Sequence, residues 1–260
     1  MPISPESRNL AVFCDFENIA IGVRDAKYAK FDIERVLERL LLKGSIVVKK
    51  AYCDWDRYKE FKPTMHGASF ELIEVPHLRQ SGKNSADIRM VVDALDLCYT
   101  KAHVDTYVIL SGDSDFSPLV SKLRENAKTV IGVGVKNSSS DLLIANCDEF
   151  IYYDDLVRED EQKRRAAKHR KETRPAGTEK QQEAFELMLE TLNALITERG
   201  EGEKIWGSMV KQALKRRKPG FNESYYGYRA FSDLLEEAEK KGLIKLEPDE
   251  KSGGYIIRPA

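Results

Sequence analysis

The sequence predicts an α/β fold, a parallel sheet flanked by helices, followed by a smaller module of three helices and a hairpin. Three observations predict it. From Leu10 to Asp155 short apolar runs alternate with helical patterns, as in strands buried on both faces and joined by crossover helices. Between Leu156 and Thr178 that periodicity stops, and Lys163–Lys171 is strongly basic ahead of Pro175 and Gly177. From Glu179 helical periodicity resumes, and the chain closes on two short strands around the turn-rich Pro248–Gly254. The expected organisation is a domain at 1–155, a basic linker at 156–178 that is helical at most in part, and a second domain at 179–260.

The expected strands are Leu10–Phe16, Ser45–Asp54, Phe70–Val75, Thr106–Ser111, Thr129–Val135 and Glu149–Tyr153. Between the first two, Ile33, Val36, Leu37, Leu40 and Leu41 recur at helical spacing, with Asp32 as N-cap and Gly44 as the stop. A second helix starts near Ser85 and puts Ile88, Val91, Val92, Leu95 and Tyr99 on one apolar face. A third, Pro118 to Asn126, turns Leu119, Val120 and Leu123 to the sheet. Beyond the linker, Phe185, Leu189, Leu192 and Ile196 mark one helix, Ile205–Leu214 another and Tyr228–Lys241 a third, stopped by Gly242. The strands Leu243–Leu246 and Tyr255–Arg258 follow, and this order is that of a winged helix.

At 260 residues the chain exceeds one ordinary compact domain. Its 33% charged residues balance to a formal −1, so any contact with a polyanion must be local. The N-terminus lacks a basic stretch followed by an apolar one, and no apolar run approaches a membrane span, so the expectation is a soluble cytoplasmic protein with no membrane partner. Cys14, Cys53, Cys98 and Cys147 form no C-x-x-C pair and are expected to be buried free thiols.

The informative residues are acids at strand ends, because parallel α/β sheets bind ligands in the crevice beyond the carboxyl ends, where strand order reverses. Asp15 ends the first strand; Asp113 and Asp115 follow the fourth, after Gly112, which would let the backbone turn sharply. Asp87 falls in the first turn of the second helix, with Val91 and Ala94 at helical spacing, so its carboxylate should lie along the sheet side. Carboxylates about 4 Å apart repel by on the order of 4 kcal/mol at an effective dielectric near 20, so a converging set requires a counter-charge. Oxygen donors without histidine or cysteine favour Mg²⁺ or Mn²⁺, which serve phosphodiester hydrolysis. Taken singly, each acid reads as well as an N-cap or turn residue. D-x-D pairs also occur in nucleotide-sugar transferases, so chemistry alone leaves the substrate open. Asp93 and Asp96 are expected to be solvated helix positions, and Asp141 and Asp148 caps or turn residues.

These residues resemble a known family. Asp15-Phe16-Glu17-Asn18-Ile19 is similar to the D-x-E-N-I opening of NYN domains, and Ser111-Gly112-Asp113-Ser114-Asp115-Phe116 to their S-G-D-S-D-F strand end. Lys83 to Ala94 resembles the middle motif, and Asp148-Glu149-Phe150-Ile151 the closing strand. The resemblance implies a PIN-like fold and a ribonuclease whose metal would be held by Asp15, Asp87, Asp113 and, more weakly, Asp115. It implies that Asn18 orients a metal-bound water or phosphate, although Asn18 fits a turn cap as well; Ser111 would stand just behind the ligands, among the RNA-contacting candidates.

Arg79 and Lys83, in the glycine-containing loop after His77, could hold phosphates or simply solvate that loop. Toward the C-terminus, Lys215, Arg216 and Arg217 precede Tyr225, Tyr226, Tyr228 and Arg229, a mixture suited to RNA backbone and base contacts, although some of these tyrosines must be core. The order Pro219-Gly220-Phe221, Tyr226-Gly227-Tyr228 and a phenylalanine-led helix, with Gly253-Gly254-Tyr255 as a wing, resembles the LOTUS or OST-HTH family. That resemblance implies binding of structured or G-rich RNA, or of a protein partner. The combined expectation is a divalent-metal-dependent ribonuclease, an endonuclease, acting on single-stranded or structured RNA that the winged helix recruits. Its alternative is a non-catalytic RNA-binding adaptor with a vestigial metal site. A D-x-D glycosyltransferase leaves Asp15 unexplained, and homo-oligomerisation is left open.

Overall fold

The structure, a computed structural model, describes residues 8–75, 84–171, 179–200, 202–249 and 254–260. It divides into two compact units, one carrying the large sheet, the other beginning at Lys168 and taking in Leu41–Gly44. The sheet holds β1 (Asn9–Asp15), β2 (Ser45–Cys53), β3 (Glu71–Glu74), β4 (Thr106–Leu110), β5 (Thr129–Gly134) and β6 (Glu149–Tyr152). Every neighbouring pair is parallel, in the order β3-β2-β1-β4-β5-β6. The helices of this unit are α1 (Phe16–Asp25), α2 (Ile33–Lys43), α3 (Lys62–Gly67), α4 (Ser85–Thr100), α5 (Ser117–Glu125), α6 (Asp141–Asn146) and α7 (Tyr153–Lys171).

The alternation along β1 builds two cores. Leu10, Val12 and Cys14 pack with Ile19 and Val23 of α1, Val36 and Leu40 of α2, and Tyr153 and Leu156 of α7. Ala11 and Phe13 face the opposite layer, with Met90 and Ala94 of α4 and Leu119, Val120 and Leu123 of α5. Layers of helix on both faces are what strands with continuous apolar sequence require. The Asp32 carboxylate accepts from Glu34 N at 3.1 Å and starts α2 as expected.

The helices α1, α3 and α6 were not anticipated. The first follows β1 without a loop, because the Asp15 side chain accepts from Asn18 N and so caps the helix. Ser140 caps α6 by accepting from Leu142 N at 3.2 Å, which leaves Asp141 as its first residue. Asp148 is no local turn residue: its carboxylate accepts from Val130 N, on the neighbouring strand, at 2.8 Å and pairs with Arg124 at 3.0 Å. The helix α7 runs to Lys171, well into the stretch expected as linker, with its first turn seated by buried Tyr153 and Leu156; residues 172–178 lie outside the described residues.

The expected buried face of α4 is corrected. Met90, Ala94 and Cys98 face the sheet, while Ile88, Val92 and Tyr99 are 62%, 56% and 64% exposed. Small Ala94 and Cys98 let the helix lie close on a sheet layer already filled by Phe13 and Tyr107, and close packing there outweighs the larger side chains on another face of the helix. Asp93 is not solvated either: its carboxylate accepts from Tyr52 Oη at 2.9 Å and pairs with Arg89 and Lys50. Asp96 is exposed, as expected. Cys14, Cys53 and Cys98 are buried free thiols, and Cys147 is half-buried.

The smaller unit contains α8 (Glu179–Arg199), α9 (Gly207–Arg217), α10 (Phe231–Lys240) and an antiparallel hairpin of β7 (Ile244–Asp249) and β8 (Gly254–Pro259). Phe185, Leu192, Val210, Leu214, Phe231, Leu235 and Ile257 form its core. The last helix starts at Phe231, not near Tyr228, because Gly227 takes a φ of 90° and the Asp233 carboxylate accepts from Ala230 N at 3.1 Å, fixing the helix start there. Among the described residues no helix is long and apolar enough to cross a membrane.

The two faces of α4 give a direct test. Val92→Asp should leave the urea midpoint within the range of about 0.5 kcal/mol usual for surface changes, whereas Ala94→Asp, which buries an unpaired charge, should cost more than about 3 kcal/mol. Equal effects of the two would mean that α4 packs through the face its periodicity suggests.

Candidate active site

Strand order reverses between β1 and β4, which are neighbours although six strands and helices separate them in sequence. The crevice beyond their carboxyl ends is where open α/β sheets bind ligands. Asp15, the last residue of β1, is 8% exposed there. Its Oδ2 accepts from Ser111 Oγ at 2.9 Å and its Oδ1 from Asn18 N at 3.4 Å. The Asn18 Oδ1 in turn accepts from Gly112 N at 2.8 Å, and Ser111 Oγ accepts from Asp113 N at 3.1 Å. The Asp113 Oδ1 then accepts from Asp115 N at 3.0 Å, capping the 3₁₀ turn Ser114–Phe116. Two strand ends are thus laced through five consecutive polar contacts. Phe16, directly after Asp15, is fully buried, with the rings of Phe31, Trp55, Tyr58 and Phe61 within 6.0 Å of its centroid, so the backbone carrying Asp15 cannot swing.

The electrostatics mark the same place. Burial, with the charges of Asp87 and Asp113 adding to it, pushes the Asp15 carboxyl up to about 7, against the opposing hydrogen bonds from Ser111 and Asn18 N. Burial also raises Asp87, to about 6, with Asp113, Asp115 and Glu17 contributing. All four expected acids, together with Glu17, therefore act on one another. Asp113 is half-buried and Asp115 is exposed at the rim. Among the described residues no three His, Cys, Asp or Glu side chains lie within common reach of one ion. The donor set nevertheless suits a hard divalent cation: carboxylates alone, two of them held partly protonated near neutrality by burial and mutual repulsion that a cation would relieve.

Several expectations change in detail. Asn18 turns its carbonyl to the Gly112 backbone, the capping alternative in a longer-range form. Ser111 is fully buried and orients Asp15, so it is no RNA contact. Gly112 is required for close approach rather than for a left-handed turn: a Cβ there would lie 2.2 Å from the Ser138 carbonyl oxygen. His77, Arg79 and Lys83 lie outside the described residues. In the smaller unit, Tyr226 and Tyr228 are core, and Arg217 is buried with Thr191 and Glu190 as partners. Arg216 is half-buried, its guanidinium donating to backbone carbonyls of the same unit. Lys215, Tyr225 and Arg229 are exposed, and Lys180 Nζ stands 4.6 Å from the centre of the Tyr225 ring. Glu17 was given no role from sequence, although it sits in the D-F-E-N-I run; it pairs with Arg57 at 3.0 Å and acts on Asp87. The serines at 138–140 carry no sequence signal that would place Ser138 against Gly112.

A parallel sheet of this order with acids gathered at its switch point is the architecture of the PIN-like nuclease superfamily. The chain belongs to the NYN domain family of that superfamily, which residues 9–154 match. It is 27% identical over 148 residues to a Xenopus tropicalis protein named meiosis regulator and mRNA stability factor 1, and 26% identical over 117 residues to an uncharacterized protein of Methanocaldococcus jannaschii. Those matches cover 57% and 45% of this chain, and the chain spans 9% and 45% of the two relatives. A crystal structure of a Vibrio parahaemolyticus protein of unknown function superposes with a TM-score of 0.52 at 26% identity, covering 60% of this chain and 98% of that one.

Two outcomes follow from the geometry. A carboxyl raised in the fold keeps a proton that the unfolded chain has lost, so its contribution weakens the metal-free fold as pH climbs from about 4 to about 7. A rise of this size corresponds to about 4 kcal/mol. Melting in EDTA at pH 5 and pH 8 should therefore show a steeper loss for wild type than for Asp15→Asn, and parallel curves would mean that Asp15 is not a buried repelled acid. Gly112→Ala should lower stability at the upper end of the usual overpacking range of about 1–3 kcal/mol, because backbone rather than a side-chain tip must give way; an unchanged urea midpoint would contradict this.

Proposed function

We propose that the protein is a divalent-metal-dependent ribonuclease that cuts RNA endonucleolytically. Asp15 and Asp87, both raised by burial and then by neighbouring acids at the sheet's switch point, carry this reading, since buried carboxylates held among like charges are typical of sites where a cation or a proton transfer uses them. Asp15, Asp87 and Asp113, with Asp115 at the rim, would hold Mg²⁺ or Mn²⁺, which when bound supplies charge neutralisation and a more acidic water for attack on the phosphodiester. The protein's own part is positional. Ser111 Oγ and Asn18 N fix the two oxygens of Asp15, and the Asn18 carbonyl holds the Gly112 backbone so that Asp113 enters the crevice at a set angle. Glu17, pinned by Arg57, adds negative charge on the far side of Asp87.

The proposed organisation is a nuclease domain at 1–155, a basic segment at 156–178 and a LOTUS-type winged helix at 179–260 that brings in RNA. Its helices and hairpin occur in the order such a module needs, and Lys215, Tyr225 and Arg229 with Lys180 form an accessible surface of cations and an aromatic ring suited to RNA backbone and bases. The name of the Xenopus tropicalis relative, an mRNA stability factor, agrees with an RNA substrate. A second reading, an RNA-binding adaptor that does not cut, draws on the fact that among the described residues no three acids lie within common reach of one ion.

Labelled RNA with Mn²⁺, Mg²⁺ or EDTA separates the two readings. The nuclease should cut in either metal and not in EDTA, and Asp15→Asn and Asp87→Asn should each lose on the order of 10²-fold or more of the activity while binding RNA as well as wild type. Added Mn²⁺ should raise the melting temperature of wild type but not of Asp15→Asn. RNA binding without cutting, together with melting indifferent to Mn²⁺, would establish the adaptor instead.

A further inference from the structure

We infer that the groove between α4, the start of α5 and α6 is a nucleobase subsite, which takes an unstacked base of single-stranded RNA beside the phosphate presented to the acids. The inference rests on the ribonuclease reading for its choice of ligand. The groove has a volume of about 710 Å³, and Asp87 and Asp115 are part of its wall, so it opens directly into the acidic crevice. The rest of its lining is largely aliphatic: Ile88, Val91 and Val92 from α4, Pro118 from α5 and Leu142 from α6.

Ile88, Val92 and Leu142 are each more than half exposed. Exposed apolar side chains scattered over a surface need no explanation, but these converge on one concavity, and concave apolar surface with a few polar groups is the usual form of a ligand site. The α4 residues are part of the face that helical periodicity marks as a core face, yet Met90, Ala94 and Cys98 make the core. Val91 packs partly on that core, but Ile88 and Val92 do not, and their apolar side chains are left for the groove.

An independent observation comes from Ser117, which also lines the groove. The residue is 6% exposed, and its Oγ has no hydrogen-bond partner among the described residues. Buried hydroxyls are nearly always paired, and an unpaired one is destabilising unless a ligand answers it. A hydroxyl both donates and accepts, so it can meet the edge of any base that displaces the groove wall enough to reach the oxygen, which is itself out of solvent contact in this structure. A nucleotide matches the whole arrangement: flat faces against aliphatic side chains, a polar edge toward Ser117, and a phosphate at the end where the acids stand. A paired base cannot turn into such a groove without leaving its stack, so the substrate is single-stranded at the position cut.

The test uses the full-length protein and two probes of identical length, octauridylate and an abasic octamer with the same ribose-phosphate backbone. Affinities are read by fluorescence anisotropy in Ca²⁺, and cutting of octauridylate in Mn²⁺. Ile88→Ser with Leu142→Ser, and separately Ser117→Ala, are compared with Tyr99→Ser, an exposed change on α4 outside the groove. Wild type and Tyr99→Ser should both lose affinity when the bases are removed. In the groove double variant that loss should shrink by about tenfold, equivalent to about 1.4 kcal/mol of coupling, and Ser117→Ala should shrink it in the same direction. A base-dependent loss as large in both groove variants as in wild type overturns the subsite. If wild type cuts octauridylate while no coupling appears, the groove inference fails and the nuclease reading stands. Coupling without cutting leaves the subsite in place and removes the nuclease reading.

Discussion

The Asp15 carboxylate, buried where the central strand β1 passes directly into α1, is the constraint around which the acidic end of the sheet is built. A carboxylate out of water needs hydrogen-bond donors, and Ser111 Oγ and Asn18 N supply them from two different segments. The same residues then bind the end of β4 to the start of α1 through Asn18 and Gly112. Because Phe16 is locked among aromatic rings, the strand end cannot relax away from its neighbours' charge. Burial, and then the charge of neighbouring acids, raises Asp15 and Asp87.

The loop after β5 is part of the same construction. Ser138 presses its carbonyl against Gly112, and Ser140 N donates to the Gly112 carbonyl at 2.9 Å, so the turn that delivers Asp113 is held from above as well as from β1. Asp113 itself caps the 3₁₀ turn with Oδ1, and its charge also raises Asp15 and Asp87. Capping therefore does not take Asp113 away from the other acids.

In the smaller unit, packing separates residues that composition groups together. Tyr226 and Tyr228 fill the core beside Phe221 and Phe185, while Tyr225, one residue away, stands 59% exposed under Lys180. Arg217 is absorbed by Glu190 and Thr191, whereas Lys215, two positions earlier on α9, reaches solvent. A basic and aromatic run of this length folds into one layer of core and one thin surface strip, and only the strip can recruit a polyanion.

Sequence alone determined the order of sheet and helix, the strand ends that carry Asp15 and Asp113, the start of α4 near Ser85 with Asp87 in its first turn, and the later hairpin. These depend on local periodicity and on caps and turns spanning a few residues, which a linear reading captures. Tertiary structure alone decided which face of α4 is buried, because that depends on how little room Phe13 and Tyr107 leave beneath Ala94 and Cys98. It also decided that Ser111 serves Asp15 and not RNA, that Gly112 is needed for the Ser138 carbonyl, and that Glu17 joins the acids. Each of these is a contact between segments dozens of residues apart, set by the packing of β1 beside β4, and no spacing within either segment carries it.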